Sequence, residues 1–191
     1  MKSLRVKLAV GVAAIGVAAV GTAAIAHDRS RLGAFMQGYE EVPAISTSAN
    51  GVFKAQISRG SDEIRYTLVY NGPFNPATGT TVPGTVTQSH IHLGQRGVNG
   101  GISVWLCGTP GFQAPAPTPA PPTCPEPGTP VTGVITPANV VGPAAQGIQP
   151  GEFAEVVRAL RAGVTYANVH TTTHGGGEIR GQIADDDQRD G

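Results

Sequence analysis

The 191-residue chain carries 13 basic and 13 acidic residues, 27 glycines, 16 prolines and only two cysteines. Its basic residues are dispersed, so the electrostatic footprint that a phosphate backbone requires is missing and nucleic acid is excluded as a partner class. The length suits one sizeable domain.

Lys2, Arg5 and Lys7 precede LAVGVAAIGVAAVGTAAIA, which closes on Ala24-Ile25-Ala26. A basic start, an apolar stretch and a small-residue end are the parts of an export signal, so residues 1–26 are predicted to be a signal peptide and the mature chain to begin near His27. The stretch from Leu8 to Ala26 is nearly long enough to span a bilayer; an uncleaved anchor is the alternative, and the only route to a membrane that the sequence offers. Those three leader cations are part of the 13 basic residues, and without them the balance is 10 to 13, a net charge of −3.

Short alternating runs bounded by Gly, Pro, Asn and Ser follow, the pattern of an all-β protein. In GVFKAQIS, Phe53, Ala55 and Ile57 oppose Val52, Lys54 and Gln56; in EIRYTLVY, Ile64, Tyr66, Leu68 and Tyr70 oppose Arg65, Thr67 and Val69. The SRGSD between them predicts an antiparallel hairpin. After a Pro/Gly loop comes SHIHLGQRGVNGG, in which Ile91 and Leu93 share one strand face and His90 and His92 the other. Asn99-Gly100 predicts a tight hairpin turn into ISVWLC, since both residues tolerate positive φ. On that strand Trp105 stands opposite Ile102, Val104 and Leu106 and is expected to cover the proline-rich segment that follows it.

Cys107 and Cys124 bracket GTPGFQAPAPTPAPPT, a proline-dense stretch without hydrophobic period, and residues 107–130 are read as an inserted surface excursion. In an exported chain these two cysteines predict one disulfide across its base. PGEFAEVVRALRAG breaks the β pattern: Phe153, Val156, Val157 and Leu160 form a helical stripe, with Glu152 and Glu155 early and Arg158, Arg161 and Gly163 late. One short helix near 151–162 is predicted. TYANVHT and GEIRGQIA return to strands, with Tyr166, Asn168 and His170 on one face and Glu178 and Arg180 expected to form a salt bridge or cross-strand pair. Residues 185–191, DDDQRDG, form an acidic tail.

The ordered set YEEVP, the strand opened by Asn50-Gly51, SHIHLGQRGVNGG, RAGVTYANVHT and GGGEIRGQI resembles the CHRD domain, the module first recognised in chordin and present in microbial secreted proteins. The resemblance runs from about Leu32 to Ala184 and implies an extracellular antiparallel β-sandwich, immunoglobulin-like or superoxide-dismutase-like, without an established catalytic site. The chain departs from it in the Cys-bracketed insertion and in His174, which stands in a turn. Residues 27–184 are accordingly predicted to be a single domain.

Two readings of the histidine face stay open. In the first, His90, His92, His170 and His174 are structural, hydrogen-bonded to Thr171, Glu178 or backbone carbonyls, alongside Asn99, Gly100, Asn168, Glu178 and Arg180 as motif residues; the protein is then a secreted, non-enzymatic module that binds an extracellular protein or surface ligand of unknown identity. In the second, His90, His92 and His170 converge on one ion with His174 as a fourth donor, giving an extracytoplasmic Zn or Cu protein with redox activity if the metal is copper. No Gly-x-Ser-x-Gly elbow, Cys-His pair or His-Glu-x-x-His helix is present in the sequence, so no catalytic residue is assigned. Either reading places the protein outside the cytoplasm, extracellular or periplasmic.

Overall fold

A computed structural model describes residues 31–185, so the predicted signal peptide and most of the acidic tail lie outside the described residues. Eight strands are described: β1 (Arg31–Gln37), β2 (Asn50–Ile57), β3 (Ile64–Asn71), β4 (Val86–Leu93), β5 (Ile102–Gly108), β6 (Val131–Ile135), β7 (Thr165–Thr171) and β8 (Ile179–Asp185), with a helix α1 (Phe153–Arg161) before β7. All-β architecture with one short helix is therefore as expected.

The strands hydrogen-bond as one antiparallel sheet in the order β5-β4-β7-β8-β1-β2-β3-β6. The sheet is curled until it is nearly barrel-shaped. Its edge strands β5 and β6 approach each other, and the Tyr66 hydroxyl on β3 donates across the gap to the Leu106 carbonyl on β5 at 2.7 Å. The six strands legible in the sequence fall into two groups, β5-β4-β7-β8 and β2-β3; β1, not anticipated as a strand, joins them. Its pattern hid it, because in RLGAFMQ the largest apolar side chain, Phe35, is 58% exposed while Gly33 and Ala34 are buried. The β1–β8 ladder is sparse, and a Cβ on Gly181 would lie 2.2 Å from the Phe35 carbonyl oxygen, so glycine lets the two backbones close this corner.

The predicted β2–β3 hairpin holds in full register, from Asn50 opposite Asn71 to Ile57 opposite Ile64, and sends Phe53, Ile57, Ile64 and Leu68 into the core. Helix α1 packs Phe153, Val156, Val157 and Leu160 into the same core, the stripe read from its spacing, and ends at Gly163 with φ +67°. Burying side chains of this size stabilises by about 1.5–3 kcal/mol each before chain entropy is counted.

Asn99-Gly100 is not the tight turn the sequence suggested. β4 and β5 do pair, but through the longer loop 94–101, which reverses at Gln95–Val98, where Val98 N–H donates to Gln95 O at 3.1 Å and Gly97 takes φ +76°. Asn99 is committed elsewhere: its amide donates to the Val42 carbonyl at 2.9 Å and its carbonyl oxygen accepts from Arg180. The disulfide is as expected. Cys107 and Cys124 are joined with Cα atoms 5.0 Å apart, and Cys124 N–H donates to Gly108 O at 2.8 Å to close the base of the proline-rich excursion.

Candidate functional site

Strand alternation sorts β4 and β7 into two faces. Ile91, Ala167 and Val169 are wholly buried in the core, and the opposite face carries His90, His92, Tyr166, Asn168 and His170. The register sets His90 against Asn168, His92 against Tyr166 and Gln88 against His170, so the three histidines occupy neighbouring positions on two paired strands. β5 slips twice against β4, between Ser89 and His90 and again between Ile91 and His92. Such bulges re-aim side chains. Here they bring Trp105 edge-on to His90, ring centroids 4.1 Å apart, with Phe112 of the excursion 4.4 Å beyond it. Trp105 thus covers the excursion, as its position suggested.

The loops turn this sheet face into an interior. His90, His92 and His170 are 1%, 8% and 6% exposed, and one nitrogen from each lies within 4.8 Å of the other two. His92 Nδ1 faces the Gly100 carbonyl at 2.9 Å and His170 Nδ1 faces the Gly175 carbonyl at 2.9 Å. A carbonyl only accepts, so each of these nitrogens carries the proton, and Nε2 of both rings is left with a lone pair. His92 Nε2 is 3.3 Å from His90 Nδ1; His90 Nε2 and His170 Nε2 are buried with no hydrogen-bond partner among the described residues. Burial pushes His90 down to about 2 and His92 down to about 4, and lowers His170, so all three rings are neutral near pH 7. Three neutral imidazoles with one nitrogen of each within 4.8 Å of the others are a transition-metal donor set, the His92 Nε2 lone pair facing His90 Nδ1 until an ion replaces that contact.

A second layer holds the rings. Tyr166 stacks on His92 with centroids 4.7 Å apart, and the Arg180 guanidinium sits 3.4 Å over the Tyr166 ring. Arg180, almost wholly buried, donates to the carbonyls of Gln95 and Val98 at 3.1 and 2.8 Å and to Asn99 Oδ1 at 3.2 Å, fastening loop 94–101 over His92. Gly100 N–H donates to the Tyr166 hydroxyl at 3.2 Å. Asn168 donates to Glu41 Oε1 at 2.6 Å, and Glu41 is pushed up to about 7, mainly by burial, with Arg180 and the Asn168 bond opposing.

The structure corrects two sequence expectations. Glu178 and Arg180 do not pair: Glu178 accepts from Thr47 Oγ1, Asn75 N–H and Thr171 Oγ1 at 2.7–2.8 Å, tying three segments together, while Arg180 serves loop 94–101. Glu178 precedes β8, so the strand-face pairing assumed for GEIRGQI does not start there. His174 stands apart from the other three histidines; its Nε2 lies 3.3 Å from Asn75 Nδ2 and its backbone supports the turn to Gly177. Sequence reasoning also left Glu41 unplaced, since only tertiary folding brings residues 41 and 168 together.

A family model described as the CHRD domain matches residues 32–183. Neither a curated protein nor a solved structure gives a significant match.

Proposed function

From the premise that the chain belongs to the CHRD domain family, matched over residues 32–183, we propose that it is an exported module whose function is to bind one transition-metal ion through His90, His92 and His170. The observation that carries this reading is the division of labour within the rings. Hydrogen bonding to Gly100 and Gly175 uses one nitrogen of His92 and one of His170, which is all that a purely structural role asks. One nitrogen of each ring lies within 4.8 Å of one from each of the other two, and among the described residues His90 Nε2 and His170 Nε2 have no partner. Leaving polar atoms buried and unpaired costs about 1–3 kcal/mol each, a cost that an ion removes. Metal-ligating histidines commonly donate their second nitrogen to a carbonyl, as these do. Nitrogens at 2.0–2.1 Å from a common ion lie at most about 4 Å apart, so small ring rotations complete the site.

Export is supported by the leader-like residues 1–26 and by the Cys107–Cys124 disulfide, which suits an oxidising compartment. On this reading residues 27–184 act as one module, its curled sheet working as a sandwich-like shell with the β1–β8 corner as the fold line. The competing role, a binding module for an extracellular partner, has in its favour the loops that His92 and His170 pin down. Metal analysis of the protein exported by its own host decides: one copper or zinc per chain is expected, and protein that is metal-free as isolated and binds neither ion on titration overturns the proposal.

A further inference from the structure

The ion itself is constrained by what surrounds the three rings. This step rests on the metal-binding reading. No carboxylate or thiolate belongs to the group of three, and both cysteines of the chain are spent in the disulfide. The two buried glutamates near this face are engaged elsewhere, Glu41 by Asn168 and Glu178 by Thr47, Asn75 and Thr171. The formal charge that the described residues offer an ion among these three rings is therefore zero, and the full charge nearest in the stack, the Arg180 guanidinium over Tyr166, is positive.

The cost of burying an ion grows with the square of its charge, so a divalent ion in this cavity is about four times as costly to desolvate as a monovalent one of similar size. Zinc bound by three protein ligands completes a tetrahedron with water or hydroxide, and the hydroxide supplies the missing negative charge. Around these histidines the walls are aromatic instead: Trp105 stands edge-on to His90 and Tyr166 lies flat on His92. A soft, monovalent d¹⁰ ion that accepts three nitrogen donors without an anion matches both the charge and the donor count. We infer that the ion held by His90, His92 and His170 is cuprous copper.

The test uses the exported protein, disulfide intact and stripped of metal by a chelator, in anaerobic solution with ascorbate as reductant. Cu(I) is titrated in competition with bicinchoninate, and Zn²⁺ and Cu²⁺ are titrated separately, without ascorbate for Cu²⁺, against chromophoric chelators. One Cu(I) per chain is expected, bound at least about 100-fold more tightly than either divalent ion. Emission from Trp105, the single tryptophan of the chain, should be quenched in step. Zn²⁺ or Cu²⁺ bound as tightly as Cu(I), or more so, overturns the cuprous assignment and leaves the metal-binding reading standing; no binding of any of the three overturns both. The comparison among ions on the unaltered chain is decisive even if a histidine variant fails to fold, and where His90→Gln folds it should lose both the stoichiometric Cu(I) and the quenching.

Discussion

His92 and Tyr166 lie face to face, centroids 4.7 Å apart and planes within 1° of parallel, and Arg180 covers the far side of Tyr166 from the next strand. Because β4, β7 and β8 are consecutive in the sheet, the stack runs across three strands and ties the ring of a candidate ligand to a buried cation. The same cation holds three oxygen acceptors of loop 94–101, which in turn supplies the Gly100 carbonyl to His92.

Arg180→Leu is therefore expected to do more than remove a charge. It removes the donor to the Gln95 and Val98 carbonyls and to Asn99 and releases the loop, at a cost of about 2–4 kcal/mol. Urea denaturation of the purified variant measures it; a loss below about 0.5 kcal/mol would show that the loop holds itself.

Acid should destabilise the metal-free protein. The three histidines have folded-state pKa values below the ordinary 6.5, so as pH falls through 6.5 the unfolded chain takes up protons that the native chain refuses, and stability drops; the drop continues toward about 4 for His92 and about 2 for His90. Glu41 acts in the opposite sense. Raised from 4.5 to about 7, it stays protonated in the native state between those values and so favours the fold as pH falls through that window. Three groups outweigh one, and the net loss between pH 6.5 and 4.5 should approach about 1.4 kcal/mol per pH unit for each excess proton. Glu41→Gln removes the counterweight and should steepen the profile. Urea midpoints that stay flat or rise toward pH 5 would contradict this account.

Reducing the Cys107–Cys124 bridge, or replacing both residues with Ser, should lower stability by about 3 kcal/mol in the chain-entropy view, with the cooperative transition kept. The bridge closes a 17-residue separation and reaches the core only through Cys107, with Cys124 packed against it, while the bulk of that cluster, Phe53, Leu68, Ile91 and Val169 among it, comes from other residues. Calorimetry that finds no folded transition after reduction would place the bridge at the centre of the fold's stability.

Much of this molecule could be read from alternation alone, and what escaped has physical causes. The hairpin Asn50–Asn71, the α1 stripe and the shared face of His90, His92, Tyr166, Asn168 and His170 follow from period 2 or 3.6. β1 escaped because its partners come from opposite ends of the chain and its burial breaks alternation, with Leu32, Gly33 and Ala34 buried in a row and Phe35 exposed. VTGVI escaped because β6 is a five-residue edge strand with Val134 turned outward. The roles of Glu41, Glu178 and Arg180 were not legible because hydrogen bonds over 81 to 131 residues of separation leave no local pattern.

Asn99-Gly100 shows how a correct residue can carry the wrong inference. Gly100 is required by close approach: a Cβ there would lie 1.6 Å from the Leu93 carbonyl oxygen, a backbone atom that cannot rotate away. Gly100→Ala should therefore displace loop 94–101, cost more than about 2 kcal/mol and weaken metal binding by taking the Gly100 carbonyl from His92. A variant with unchanged urea midpoint and unchanged metal affinity would mean that the loop is free to move without consequence.

The contrast between His170 and His174 separates a ligand from a neighbour. The residues are four apart, His170 near the end of β7 and His174 in the turn that follows it, so a general disturbance of this stretch would affect both variants alike. Their surroundings differ: His170 is 6% exposed, has an Nε2 without a partner among the described residues and belongs to the group of three, whereas His174 Nε2 meets Asn75 and His174 lies outside the group. His170→Gln is expected to abolish one-to-one metal binding while the fold persists, as judged by circular dichroism and an intact disulfide. His174→Gln should leave stoichiometry and affinity within about two-fold of the parent and cost at most about 1 kcal/mol for the altered Asn75 contact. Equal losses of metal in both variants would make His174 part of the donor set and require the 171–177 turn to refold around the ion; equal retention would remove His170 from it.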